Sequence, residues 1–252
     1  MNSVAIPRLW TSRSIAHTSP ILDFLVPALS YPPKSRRYVS TTSSTTDPSP
    51  SPQQDGPPKR RKPLSLEQRT FLDSALRVNQ AGELAATLIY TAQTPPLLRS
   101  HPHLRSLMQH MHSQEAGHFS TFNALLARHR IRPTLMYPVW TVAATALGWG
   151  TAMLGREAAM ACTEAVETEI GSHYNGQVRV LLGWMREMEE KGEEVGDELR
   201  ELIGELKRIR DEELEHLDTA LGEDSREAKG WPVLNTVIRG GCRGAIWISE
   251  RV

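Results

Sequence analysis

The feature that most constrains this chain is a set of acids placed where apolar side chains belong. From Ser65 onward, apolar residues return at three- and four-residue steps, the period of a helix that packs one face on a core. One stripe is Leu72, Leu76, Asn79, Glu83, Ala86 and Tyr90, and a second is Leu104, Leu107, Met111, Glu115, His118, Phe122 and Leu125. A third is Met160, Glu164, Glu167, Gly171, Tyr174, Val178 and Leu181, and a fourth is Leu199, Leu202, Leu206, Ile209, Glu213, His216 and Ala220. Near its middle, each stripe keeps its period but installs Glu, or Glu and His. Buried unpaired carboxylates are expensive, so four of them facing one interior demand a compensating positive charge.

Helix ends follow from local chemistry. Ser65-Leu66-Glu67-Gln68 reads as a capping box opening the first helix, and Thr94-Pro95-Pro96 is expected to close it. The second helix is expected from about Pro102 to Arg130, the third from about Thr151 to Met185, and the fourth from about Glu198 to Leu221. The charged, Gly-containing run Arg186 to Asp197 suits an exposed connection. Strand signals are nearly absent, so the fold class is all-α, a four-helix bundle.

The spacing of the polar residues then points to chemistry. Glu115-x-x-His118 and Glu213-x-x-His216 each set a carboxylate and an imidazole one turn apart on one face. Glu83 precedes the first pair by 32 residues, and Glu167 precedes the second by 46. One such pair is usually a solvated helix face. Two pairs, each preceded by an inward Glu one helix earlier, are the ligand inventory of a ferritin-like di-metal carboxylate bundle. Oxygen donors with two imidazoles suit iron or manganese. The two cysteines, Cys162 and Cys242, are too few for a disulfide framework or a cysteine-based zinc site. Within the fourth helix Glu212, Glu213 and Glu215 compete, and Glu213 alone has both the pair spacing and the stripe. Within the third helix, periodicity leaves Glu164 and Glu167 both open.

Charge divides the chain. Residues 1–62 hold nine Lys/Arg against three Asp and no Glu, which leaves residues 63–252 with a net charge of −6. An acidic body lacks the basic face that phosphate neutralisation requires, so no nucleic-acid partner is expected. Residues 1–38 have the Arg-, Ser- and Ala-rich composition of a mitochondrial transit peptide, with processing near Arg36-Arg37-Tyr38. Residues 39–64, rich in Ser, Thr and Pro, read as a disordered linker, which leaves 65–252 as the folded domain.

Several stretches resemble a known family, the mitochondrial demethoxyubiquinone hydroxylases of ubiquinone (coenzyme Q) biosynthesis. They are Arg77-Val-Asn-Gln-Ala-Gly-Glu83, Gln114-Glu-Ala-Gly-His118, Ala161-Cys-Thr-Glu-Ala-Val-Glu167, His173-Tyr-Asn-Gly-Gln177, Arg210-Asp-Glu-Glu-Leu-Glu-His216 and the run from Gly241 to Arg251. The resemblance implies a ferritin-like di-iron monooxygenase. Its metal ligands would be Glu83, Glu115, His118, Glu167, Glu213 and His216, which takes Glu167 over Glu164. It further implies O2 as co-substrate, NADH or the quinone as electron source, and His173 and Tyr174 as an electron relay or as groups hydrogen-bonded behind the ligands. Implied partners are a polyprenyl demethoxyquinone, the inner-membrane surface and a biosynthetic complex with a lipid-binding accessory protein. A homo-oligomer is compatible with it. A ferroxidase or iron-storage protein, a manganese catalase-like enzyme, or a lipid-presenting structural subunit would share the donors. Turnover of a demethoxyquinone separates them.

Residues 133–155, between Arg132 and Arg156, carry no charge. After Pro138 they would span roughly 26 Å as a helix, at the lower limit for crossing a bilayer core of about 30 Å. Trp140 and Trp149 suit a headgroup interface. A second apolar run comprises Trp231, Val233, Leu234, Val237, Ile238, Ile246, Trp247 and Ile248. Both are expected as interfacial helices that give a bilayer-dwelling substrate a hydrophobic entry, on a peripheral protein of the matrix face.

Overall fold

The computed structural model describes residues 64–252, and the expected leader and linker lie outside that range, Leu64 apart. Six α-helices make up the described residues: α1 (Leu66–Ser100), α2 (Arg105–His129), α3 (Tyr137–Met153), α4 (Arg156–Glu190), α5 (Asp197–Gly222) and α6 (Trp231–Ser249). No strand occurs among them. Helices α1 and α2 form one hairpin and α4 and α5 another, while α3 packs chiefly on α1 and α6 chiefly on α4.

The expected capping box is present. Gln68 N–H donates to Ser65 Oγ at 3.1 Å and Ser65 N–H donates to Gln68 Oε1 at 2.9 Å, satisfying two amides that have no intrahelical partner. Three sequence expectations are corrected. Helix α1 does not close at Thr94-Pro95-Pro96 but runs through both prolines to Ser100. Thr94 Oγ1 donates to Tyr90 O at 2.6 Å, and continuing the helix buries Leu97 against Met108 and Met111, a gain that outweighs the amides proline removes. The third bundle helix begins at Arg156 rather than Thr151, because Gly155 at φ +118 breaks it from α3. It also continues past Met185 to Glu190, so the exposed connection shrinks to residues 191–196, where Gly192 turns at φ +67.

The inward stripes of α1 and α4 are buried throughout as expected. On α2 the fully buried residues include Met108 and Leu126, with Leu107 and Leu125 only half-buried. One apolar cluster (Leu76, Phe122, Tyr174, Leu181, Leu206 and Ile209) and another (Tyr90, Leu97, Met108, Met111, Met160 and Ala220) draw on the same four helices. Along every helix the Glu and His positions fall between the two clusters. The polar layer is therefore clamped by apolar packing above and below.

Helix α3 is set unusually close to α1. A Cβ at Gly148 would stand 2.5 Å from Ile89 O. Its outer face exposes Val139, Val142, Trp149 and Met153, and α6 exposes Val233, Val237 and Trp247. Trp140 instead turns inward and donates to Ser249 Oγ at 2.9 Å, tying α3 to the end of α6. Among the described residues, no helix is long and apolar enough to cross a membrane.

Candidate metal centre

Each bundle helix delivers its polar residues to one layer because they sit at core-facing positions of the same periodic stripe. Glu83 comes from α1, Glu115 and His118 from α2, Glu167 from α4, and Glu213 and His216 from α5. They form two overlapping quartets, Glu83–Glu115–His118–Glu213 and Glu115–Glu167–Glu213–His216, and within each quartet one donor atom per residue lies within 4.8 Å of the others. All six are essentially excluded from solvent, with exposures of 0–1%. His118 Nδ1 lies 3.0 Å from Glu213 Oε1 and 3.3 Å from Glu83 Oε2, and His216 Nδ1 lies 2.9 Å from Glu115 Oε1.

These residues fit a pair of divalent cations. Glu83 Oε2, both Glu115 oxygens, Glu167 Oε2, Glu213 Oε1 and His118 Nδ1 are buried without a hydrogen-bond partner, since the short contacts among them are misaligned for N–H···O geometry. Such orphaned polar atoms are costly unless a cation takes them as ligands. Four carboxylates match the charge of two divalent ions. Proton affinities report the same crowding. Burial and the Glu213 charge push the Glu83 carboxyl up to about 8, and burial with Glu213 and Glu115 raises Glu167 well above the usual range. Burial opposes charge on Glu213, but contacts from His118 and His216 outweigh it and draw its pKa down to about 2. Against the same burial, Glu115 and Glu213 lift His216 to about 9.

Glu164 and Glu167, which periodicity left open, occupy different surroundings. Glu167 lies in the cluster, whereas Glu164 turns to the α5–α6 corner and accepts from Ser225 Oγ at 2.6 Å and Trp231 Nε1 at 2.9 Å. Glu169 is clamped by Arg239 at 2.6 Å and by Arg243 at 2.8 Å. Tyr174 donates a short hydrogen bond to Glu83 Oε1. His173 stays outside the cluster, and its buried Nε2 has no partner. Burial lowers its pKa.

Two neighbours escaped the sequence reading. Glu212, set aside as a ligand, stands 2.6 Å from His118 Nε2, and Gln114 Oε1 stands 3.0 Å from His216 Nε2. Each immediately precedes the Glu of a Glu-x-x-His pair, and that position was the signal available. Beside the cluster, α1, α3, α4 and α6 enclose a cavity of about 350 Å³. Its walls are mainly apolar, including Ile89, Leu147, Val166 and Ile238, and Glu83, Tyr174 and His173 also line it.

The model of the ubiquinone biosynthesis protein COQ7 family matches residues 70–249, which include all six clustered donors. The chain belongs to the COQ7 family. Over 190 residues it is 46% identical to the mitochondrial 5-demethoxyubiquinone hydroxylase of Saccharomyces cerevisiae, covering 75% of this chain and 82% of that protein. Over 184 residues it is 43% identical to the mitochondrial NADPH-dependent 3-demethoxyubiquinone 3-hydroxylase of Homo sapiens, covering 73% and 79%. The 3-demethoxyubiquinol 3-hydroxylase of Rhodospirillum rubrum is 41% identical over 192 residues, covering 76% and 84%. As in other COQ7 proteins, the fold is a ferritin-like helical bundle.

Proposed function

We propose that this chain is a di-iron monooxygenase that hydroxylates the ring of demethoxyubiquinone or its quinol, the penultimate step of ubiquinone biosynthesis. The observation that carries this reading is a buried layer of four carboxylates and two imidazoles sharing Glu83 with an apolar cavity. An apolar approach suits a polyprenyl quinone and not the aqueous ions of a ferroxidase. Glu83, Glu115, His118, Glu167, Glu213 and His216 would hold two irons. When bound, two ferrous ions would supply two electrons to O2, so that with two protons one oxygen atom enters the ring and the other leaves as water, and the reductant would return two electrons to the iron pair before the next turnover. The reductant is a reduced nicotinamide or the quinol itself, in keeping with relatives named as NADPH-dependent.

The protein's own side chains do the remaining work. Apolar walls bind the ring and exclude water. Tyr174 holds Glu83 in place through its hydroxyl, restricting the carboxylate to one orientation. His173 Nε2 is free to hydrogen-bond a quinone oxygen in the cavity. The decisive experiment is product mass spectrometry from iron-loaded protein, a demethoxyquinone, reductant and labelled O2. One labelled oxygen in the product is expected, and iron-loaded protein that returns the substrate unchanged refutes the assignment.

We further propose that the protein sits on the matrix face of the mitochondrial inner membrane, reached through a leader in residues 1–38. Relatives named mitochondrial and the apolar outer faces of α3 and α6 support this placement. Carbonate extraction should release the protein, and retention with integral proteins contradicts surface binding.

A further inference from the structure

The two metal quartets are matched in their ligands and unmatched behind them. Each contains one histidine and one private carboxylate, Glu83 or Glu167, and both share Glu115 and Glu213. His118 turns Nδ1 into its quartet and Nε2 outward, 2.6 Å from Glu212 Oε2. His216 does the same, but its Nε2 meets Gln114 Oε1 at 3.0 Å. The outer partner is thus a carboxylate on one side and a neutral amide on the other. Arg208 fixes that carboxylate, with Nη1 2.8 Å from each Glu212 oxygen, and Glu205 holds Arg208 in turn.

With a metal on Nδ1, each imidazole would be neutral and its Nε2–H would donate to the outer partner. A carboxylate pulls harder on that proton than an amide does, and so leaves more electron density on Nδ1. The shorter contact agrees with the stronger bond. Arg208 moderates the negative charge but also removes the freedom of Glu212 to swing away. The quartet backed by Glu212 is the one whose private carboxylate, Glu83, lines the apolar cavity.

We propose that Glu212 is a positioning residue that makes the Glu83–Glu115–His118–Glu213 quartet the tighter of two unequal metal positions, so that the cavity-side position fills first. This inference rests on the six-donor reading above. It implies that the metal pair is built in order, from the substrate side inward.

The test is an anaerobic Co(II) titration of the metal-free full chain, followed by the ligand-field absorbance of the bound ion. Wild type is expected to bind in two steps. Glu212→Gln should weaken the first step about 10- to 100-fold, the usual effect of losing a histidine's outer partner, and Gln114→Glu should tighten the second. Glu83→Ala should delete the tight step and leave the weak one, and Glu167→Ala should do the reverse. The melting temperature of each metal-free variant separates a folding defect from a change at the metal, since a merely structural Glu212 would alter melting without moving the binding steps. Two equal steps in wild type, or an unchanged first step in Glu212→Gln, overturns the inference while leaving the ligand set intact. Failure of wild type to bind Co(II) at all overturns the ligand set as well.

Discussion

Gly148→Ala isolates the contact that fixes one wall of the cavity. The added Cβ would stand 2.5 Å from Ile89 O, 2.8 Å from Ile89 Cα and 3.0 Å from Ile89 C. All three are backbone atoms, so no rotamer change relieves the clash, and α3 must retreat from α1 by about 0.9 Å to restore an ordinary contact of 3.4 Å. Overpacking of this kind costs about 2–3 kcal/mol at the upper end of its range, offset by about 1 kcal/mol because alanine favours a helix more than glycine does. The net loss of about 1–2 kcal/mol corresponds to a melting temperature lower by roughly 2–8 °C in a domain of this size. Gly150→Ala is the internal control, because nothing lies within 4 Å of a Cβ there. It should gain up to about 1 kcal/mol from helix propensity alone. Calorimetry of both variants, metal-free and metal-loaded, decides the matter: equal melting temperatures for the two would refute the close α1–α3 approach. Retreat of α3 should also weaken retention of an apolar quinone analogue, measured by quenching of tryptophan fluorescence.

Glu115→Ala and Glu213→Ala should each abolish metal binding and hydroxylation while circular dichroism stays helical, since each removes a donor shared by both quartets. Full iron occupancy in either variant would sink the ligand assignment. Glu167→Gln should lose the second metal ion, whereas Glu164→Gln should keep both and lose about 1 kcal/mol through weakened contacts to Ser225, Trp231 and Arg226; equal metal loss in both would reverse the helix-α4 register. Glu83, with its carboxyl raised to about 8, is protonated in the metal-free protein at neutral pH and must release that proton to solvent when a cation binds. Metal affinity should therefore rise as pH climbs toward 8, and calorimetry in buffers of different ionisation enthalpy should register proton release; a pH-independent affinity contradicts this.

Much of this molecule is readable without its tertiary structure. Period and polarity are local properties of a helix, so the stripes through Glu83, Glu115, Glu167 and Glu213 revealed four helices and their buried faces from the chain alone. The Glu-x-x-His pairs were legible for the same reason, because one turn fixes which side chains share a face. What the chain left undecided depended on neighbours distant in sequence. Nothing local told Glu164 from Glu167, which both face inward one turn apart. The family resemblance favoured Glu167, but the physical reason came only with the arrival of Ser225 and Trp231 against the first and of Glu213 and His216 near the second. The prolines after Thr94 were a local stop signal overruled by the burial of Leu97. Glu212 looked like a failed ligand until α2 brought His118 to it. The cavity likewise exists only where four helices meet, with Gly148 letting α3 lie against α1. Sequence determined which face each helix hides; packing decided what each hidden group meets, because contact energies between distant segments are set after the helices dock.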